Sequence, residues 1–401
     1  MDPFKWLVKD LAGRDLPVRI KLWNGASVAL GHSERVLLEI LDPRALPLLW
    51  HPTLGKLAAG YVECKINVRG NLRDVLRIGQ QLCAVGANNY RKASEVLARL
   101  RYPHTRSRDR DDIRFHYDVG NDFYGLWLDA RRVYSCAYFK SDGESLETAQ
   151  ENKLDLICRK LRLRPGDRLL DIGCGWGGLI LWAAEHYGVD ATGITLSQEQ
   201  HAYASQLIRE RGLEARCRVS VTDYRDLPEA EPYDRIASVG MFEHVGVRHL
   251  PGYFGKLYRM LKPGGLIMNH GITHTAPGGT ELGSDIGEFV QRYVFPGGEL
   301  AHASKVLEAA SAEGLEILDC ENLRPHYGRT LWHWVDRLEA ARAQAIAMVG
   351  EKRFRIWEIY MAGSAHAFET GWLSLFQILA ARPDAAGRNE YPYRRDYMYQ
   401  R

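Results

Sequence analysis

Residues 169–178 read LLDIGCGWGG. An apolar run ends on Asp171, and the chain then becomes nearly all glycine. Such a stretch is a strand that stops at a tight turn and opens a helix, where backbone can approach a ligand closely. Gly173, Gly175 and Gly178 satisfy G-x-G-x-x-G, so a dinucleotide is the first ligand to test. The flanking sequence alternates. DRLLDIG, DATGITLS, EARCRVSVTD, YDRIASVGMFEHV and LIMNHGIT read as strands, and GLILWAAEHYG, QEQHAYASQLIRERG and LPGYFGKLYRMLKPGG read as helices between them. Alternation of this kind implies a parallel sheet covered on both faces, with ligands at the carboxyl ends of its strands.

A dinucleotide site needs an acidic residue about 20 positions past the glycines, at the end of the second strand, to hold the ribose. Thr195, Leu196 and Ser197 stand there instead. The third strand ends in VTDYRDL, which offers Asp223 to accept a hydrogen bond from an adenine amino group, and LKPGG adds a glycine turn before the fifth strand. These features fit S-adenosylmethionine (SAM).

The chain has 401 residues, enough for two or three domains. A net charge of +3 gives no sign of nucleic acid as a partner. Seven scattered cysteines with no C-x-x-C pair point away from a disulfide framework or a zinc site, so no metal is expected. No apolar run approaches the roughly 20 residues of a membrane span, and the N-terminus has no signal-peptide core. The expectation is a cytoplasmic protein. Residues 1–100 read as a small α+β domain, 101–115 as a linker within an arginine-rich stretch at 91–114, and 116–401 as the catalytic domain. From Gly279 onward the pattern is mostly helical and aromatic, without a sheet of its own, and reads as a cap over the carboxyl edge.

The segments HYDVGNDFYGLWLD, YSCAYF, LDIGCGWGG, GITLSQEQ, DRIASVGMFEHVG and HYGRTLWHW, in this order between residues 112 and about 380, together resemble the cyclopropane fatty acid synthases. The resemblance implies an α/β, Rossmann-like class I SAM-dependent methyltransferase domain with a mostly helical cap. It implies an enzyme acting on unsaturated acyl chains of membrane phospholipids. Residues 1–100 look like a sterol-carrier-type lipid-binding domain. The cofactor contacts that the resemblance carries over are Tyr134, Ser135, Asp171, Gly173, Gly175, Gly177, Thr195, Gln200, Asp223 and Tyr224. It also implies a bicarbonate ion held by Cys136, Glu243, His270 and Tyr327, which form the expected catalytic set. Where the family commonly has a further cysteine, YMAGSAHAF places Ser364, which leaves methylation or methylenation without ring closure as the alternative product.

The chemistry can be set beside those residues. An alkene that attacks an activated methyl becomes a carbocation, which water would quench, so the cavity must be dry and apolar. Aromatic faces can stabilise the charge, and Phe289, Tyr293, Phe295, Tyr327, Trp332, Trp334 and Phe368 are candidates, although most of them also read as ordinary core. Ring closure removes a proton from the new methyl group. Glu243 follows the fourth strand and His270 ends the fifth, so both belong to the edge where ligands bind. Cys136 is expected to make contacts rather than attack, because methyl transfer is direct. His116 and Tyr117 are expected at the entrance. An acyl chain leaves its bilayer at a cost of about 0.8 kcal/mol per methylene, so a peripheral position on the inner face of the membrane is expected. The arginine-rich stretch and the tail YPYRRDYMYQR, which resembles an interfacial anchor, are its candidates for contact. Both also read as a solvated face and a frayed end, and a homodimer is left open.

Overall fold

The computed structural model describes residues 15–49, 52–83, 120–275, 284–295, 298–389 and 391–399. The arginine-rich stretch at 91–114, the linker at 101–115, His116 and Tyr117 lie outside them. By contacts the chain divides into two units, one made of residues 1–103, 280–296 and 338–366 and the other of 104–279, 297–337 and 367–401.

The first unit is built on strands β1 (Val18–Lys21), β2 (Ser27–Ala29), β3 (Val36–Ile40) and β4 (Ile66–Arg69), in the order β2-β1-β3-β4. The β1–β2 hairpin turns at Asn24-Gly25, where Gly25 takes a φ of 87° and the Asn24 side chain accepts from the Ala26 amide. Helices Leu54–Val62 and Leu72–Cys83 place Tyr61, Ile78 and Leu82 against the inward faces of these strands. Most of the helix Glu351–Glu369 belongs to this unit. Tyr61 donates to the buried Glu358 carboxylate at 2.5 Å, and Arg355 donates to the Tyr61 carbonyl at 3.0 Å. Phe289, Tyr293 and Phe295 gather with Val62 in a second apolar cluster of the same unit.

The second unit holds the glycine turn. Its strands are β5 (Arg168–Ile172), β6 (Asp190–Thr195), β7 (Cys217–Val221), β8 (Tyr233–Val239), β9 (Leu261–His274), β10 (Glu316–Asn322) and β11 (Leu373–Ala381). They are ordered β10-β11-β9-β8-β5-β6-β7. The five strands read from the sequence are there and run parallel. The LKPGG turn lies inside β9, where the pairing with β8 steps from Tyr233↔Leu261 to Arg235↔Leu266. Helices Gly178–Tyr187 and Leu250–Met260 bury Leu179, Ile180, Trp182, Phe254 and Leu257 in the two cores on the sheet's faces.

Two expectations are corrected. The last third does contribute to the sheet: β11 pairs antiparallel with β9, and β10 with β11, so the sheet is mixed. LSLFQILAA is buried along most of its length, Ser374 and Gln377 included, so it shows no alternation to separate strand from helix. The tail is no loose anchor either. Met398 is fully buried, Tyr391 and Tyr397 pack on the sheet's core, and Arg395 pairs with Asp319 at 2.9 Å. Tyr393 stands out into solvent.

Candidate active site

A cavity of about 480 Å³ opens at the carboxyl ends of β5, β6 and β8. Its floor is the glycine turn, in which Gly173, Gly175 and Gly177 have φ of 80°, 54° and 87°. Side-chain residues rarely adopt that region, so glycine here is a backbone requirement. Gly173 and Gly175 line the cavity, and Gly177 caps the helix Gly178–Tyr187 immediately behind it. Asp171, the penultimate residue of β5, lies at the cavity wall, buried, with its Oδ1 lacking a hydrogen-bond partner among the described residues. Burial pushes its carboxyl up, with Lys153 pulling the other way.

Tyr134 and Ser135 form the adjoining wall. Lys153, 1% exposed, donates to Ser135 Oγ at 2.8 Å. Burial lowers the Lys153 ammonium, and Asp129, Cys136 and Asp171 oppose this. On β6, Thr195 donates to Gln200 Oε1 at 2.7 Å and accepts from the Ser197 amide at 3.1 Å, which orients the Gln200 amide at the rim. Asp223 and Tyr224 close the far end. The Asp223 carboxylate already takes Arg225 Nε at 2.9 Å and a guanidinium NH₂ at 2.6 Å, and a carboxylate retains further acceptor positions for an adenine amino group.

The second group of residues does not line this cavity; it lies beside it, around β9. Glu243 sits on the short turn Phe242–His244 after β8, and its Oε1 accepts from the Ile272 amide at 2.8 Å. The turn rests on Gly271, where an added Cβ would fall 1.9 Å from Phe242 Cε1. Only glycine permits that approach. Glu243 Oε2 is buried without a hydrogen-bond partner among the described residues, and burial pushes the carboxyl up to about 7. His270, 1% exposed, lies on β9 opposite Val239 of β8 and does not end that strand as expected, because pairing with β11 carries β9 on to His274. Its Nε2 is likewise buried without a partner among the described residues, and burial holds the ring well below its ordinary pKa, so it is neutral.

Cys136 and Tyr327 reach the same region through one carbonyl. Cys136 Sγ lies 3.8 Å from the Leu323 carbonyl, which accepts the Tyr327 amide at 3.1 Å, and the Leu323 amide donates to Leu375 of β11 at 2.8 Å. Burial raises the Cys136 thiol far above its usual range, so it stays a thiol. The motifs YSCAYF and HYGRTLWHW are tied directly: the Ala137 amide donates to Thr330 Oγ1 at 3.0 Å and the Phe139 amide to His326 Nδ1 at 3.1 Å. Aromatic rings run from the cavity wall to Tyr327. Trp176 and Tyr134 flank Tyr124, Tyr134 meets Trp334 at 5.2 Å between centroids, and Trp334 and Phe368 flank Tyr327. Of the aromatic candidates, Tyr327, Trp334 and Phe368 thus share one unit with the site, and Trp332 is anchored there by a bond to Glu369. Phe289, Tyr293 and Phe295 belong to the other unit, as does Ser364.

Sequence reading missed Lys153, Tyr124 and Trp176. A lysine in ENKLDL has the look of a solvated helix face, and only tertiary burial shows otherwise.

A sheet of this order, with a left-handed glycine turn facing a cavity between strand ends, defines a class I SAM-dependent methyltransferase. Solved structures agree: the cyclopropane synthase MmaA2 from Mycobacterium tuberculosis is 34% identical with a TM-score of 0.65, covering 68% of this chain and 98% of its own. Mycolic acid cyclopropane synthase CmaA1 complexed with SAH and CTAB is 35% identical with a TM-score of 0.64 over the same shares. The family model for mycolic acid cyclopropane synthetase matches residues 104–378, and the chain belongs to that family. A probable fatty acid methyltransferase of Pseudomonas putida is 44% identical over 385 residues, 96% of each chain, so that likeness extends through the N-terminal unit.

Proposed function

We propose that this protein methylates the cis double bond of an unsaturated phospholipid acyl chain and closes a cyclopropane ring, with a bound bicarbonate ion as base. The observation that carries this reading is two buried polar atoms without a partner among the described residues, Glu243 Oε2 on the turn after β8 and His270 Nε2 on the adjacent strand β9. Buried polar atoms of this kind ask for a ligand that offers both a donor and an acceptor. A bicarbonate ion has both.

The residues present fit both implied groups. Asp171 carries an orphaned oxygen suited to an ammonium, and Ser135, Thr195, Gln200 and Asp223 supply donors and acceptors around the glycine turn. SAM, when bound there, supplies an activated methyl group. Glu243, His270, Tyr327 and the Cys136 segment would hold bicarbonate, which would supply a small base without placing a charged side chain against the lipid. The chain's own residues align, exclude water and stabilise charge. Trp334, Tyr327 and Phe368 pack on one another and would offer aromatic faces suited to a transient cation.

Incubating the protein with SAM and unsaturated phospholipid vesicles, followed by proton NMR of the fatty acids, tests this. Upfield cyclopropane protons support it, and unchanged lipid overturns it. Methyl-branched or vinylic methylene signals would establish the second reading, modification without ring closure, which Ser364 and the name of the Pseudomonas relative favour. The membrane-facing part of the proposal is that a cytoplasmic protein docks peripherally. No helix among the described residues is long and apolar enough to cross a membrane. The N-terminal unit is proposed as a lipid-binding domain, 1–100, joined by 101–115 to a catalytic domain at 116–401, and a homodimer is an arrangement to test by sedimentation.

A further inference from the structure

Behind His270 lies a hydrogen-bonded chain that the chemistry above does not use. Lys160, the last residue of the helix Leu146–Lys160, is fully buried and reaches β10 and β11. Its ammonium pairs with Glu321, lies 3.8 Å from Asp319, and donates to Gln377 Oε1 at 2.8 Å. Gln377, on β11 directly opposite His270 and itself fully buried, places its Nε2 3.1 Å from His270 Nδ1.

The chemistry of the donors fixes every proton in this chain. An ammonium only donates, so the Gln377 oxygen must face Lys160 and the amide NH₂ must face the ring. An amide NH₂ also only donates, so His270 Nδ1 must accept. A neutral imidazole that accepts at Nδ1 carries its proton on Nε2. That is the buried ring atom with no partner among the described residues. We infer that Gln377 and Lys160 are positioning residues, which hold His270 in the tautomer that presents an Nε2–H donor to a small oxyanion beside Glu243.

This rests on the anion reading proposed above and adds a reason for the arrangement. An imidazolium is acidic enough to hand its proton to a bound base. A neutral imidazole N–H is far less acidic, so it can hold the ion and leave it able to accept a proton. Partners of a ring nitrogen commonly set the tautomer of the other.

The test uses the full-length protein labelled with ¹⁵N in its histidine rings, with long-range ¹H–¹⁵N spectra recorded near neutral pH. The His270 ring is assigned by its loss in His270→Asn and independently by its displacement in Gln377→Glu. The wild type should show Nε2 protonated and Nδ1 bare. In Gln377→Glu, with spectra followed up to a pH at which the new carboxylate is ionised beside Glu321 and Asp319, that group can only accept, and Nδ1 should gain the proton. Gln377→Met, which adds no charge, should leave both tautomers populated. In both variants SAM affinity should be unchanged, while the bicarbonate concentration giving half-maximal turnover rises about ten- to a hundredfold, as expected for one lost hydrogen bond to an ion. A protonated Nδ1 in the wild type, or variants that keep the wild-type ring state and bicarbonate response, would overturn the inference. If wild-type turnover ignores bicarbonate after carbon dioxide is stripped, the anion reading fails, while the ring spectra still decide the tautomer.

Discussion

Glu243→Gln should make the ligand-free protein more stable and nearly inactive. The substitution keeps size and shape, and the Gln oxygen can still accept from the Ile272 amide as Glu243 Oε1 does at 2.8 Å. It removes a buried carboxylate whose Oε2 is unsatisfied among the described residues. Burial raises that carboxyl from 4.5 to about 7, which at about 1.4 kcal/mol per tenfold corresponds to about 3 kcal/mol. The sign follows from proton counting. Between the two pKa values the folded state holds the proton more tightly than the unfolded state does. The carboxyl's contribution is therefore fully present below about 4.5 and is lost as pH rises through about 7. Glutamine escapes that loss. Denaturant titrations should show the variant and wild type alike in acid, with the variant ahead by up to about 3 kcal/mol above neutrality. In the vesicle assay, turnover should fall by about a hundredfold or more, the scale of a lost acid–base group, while SAM binding measured by calorimetry is retained. A stability difference that does not vary with pH would refute the burial argument. Near-normal product would remove Glu243 from the reaction.

Lys153→Met takes the donor from Ser135 Oγ and the counter-charge from Asp171, so SAM should bind about tenfold or more weakly; unchanged calorimetric affinity would make Lys153 a purely structural residue. Gly271→Ala puts a methyl group into the Phe242 ring and should cost about 1–3 kcal/mol in denaturant unfolding while displacing Glu243 and lowering turnover. A variant as stable and active as wild type would show that the turn has room to move. Binding to anionic vesicles in a flotation assay should weaken as salt rises; salt-insensitive binding, or none, would remove electrostatics from membrane docking.

Much of this molecule is legible locally. The glycine turn, the strand–helix alternation through β9 and the residues around the cavity are set by short-range patterns: apolar periodicity, positive-φ glycines and caps such as Ser197 ahead of Gln198. Gly173 and Asp223 line the cavity that the strand ends predict, and Thr195 and Gln200, which the family resemblance implies, line it with them. Glu243 was legible as a residue just past β8, whereas His270 lies inside β9, which runs on to His274, and the parallel pairing of β8 with β9 is what sets it opposite Val239. The antiparallel strands β10 and β11 were not legible: β11 is buried on both faces and shows no alternation, and EILDCEN of β10 mixes charges with its apolar residues. With β11 went Gln377, one polar residue inside LSLFQILAA, 107 positions from His270 and 217 from Lys160. Local sequence thus determined where a cofactor can lie. Only the tertiary fold decided which polar atoms are left buried and unsatisfied, because burial and partnership are properties of residues far apart in the chain that meet when the sheet closes.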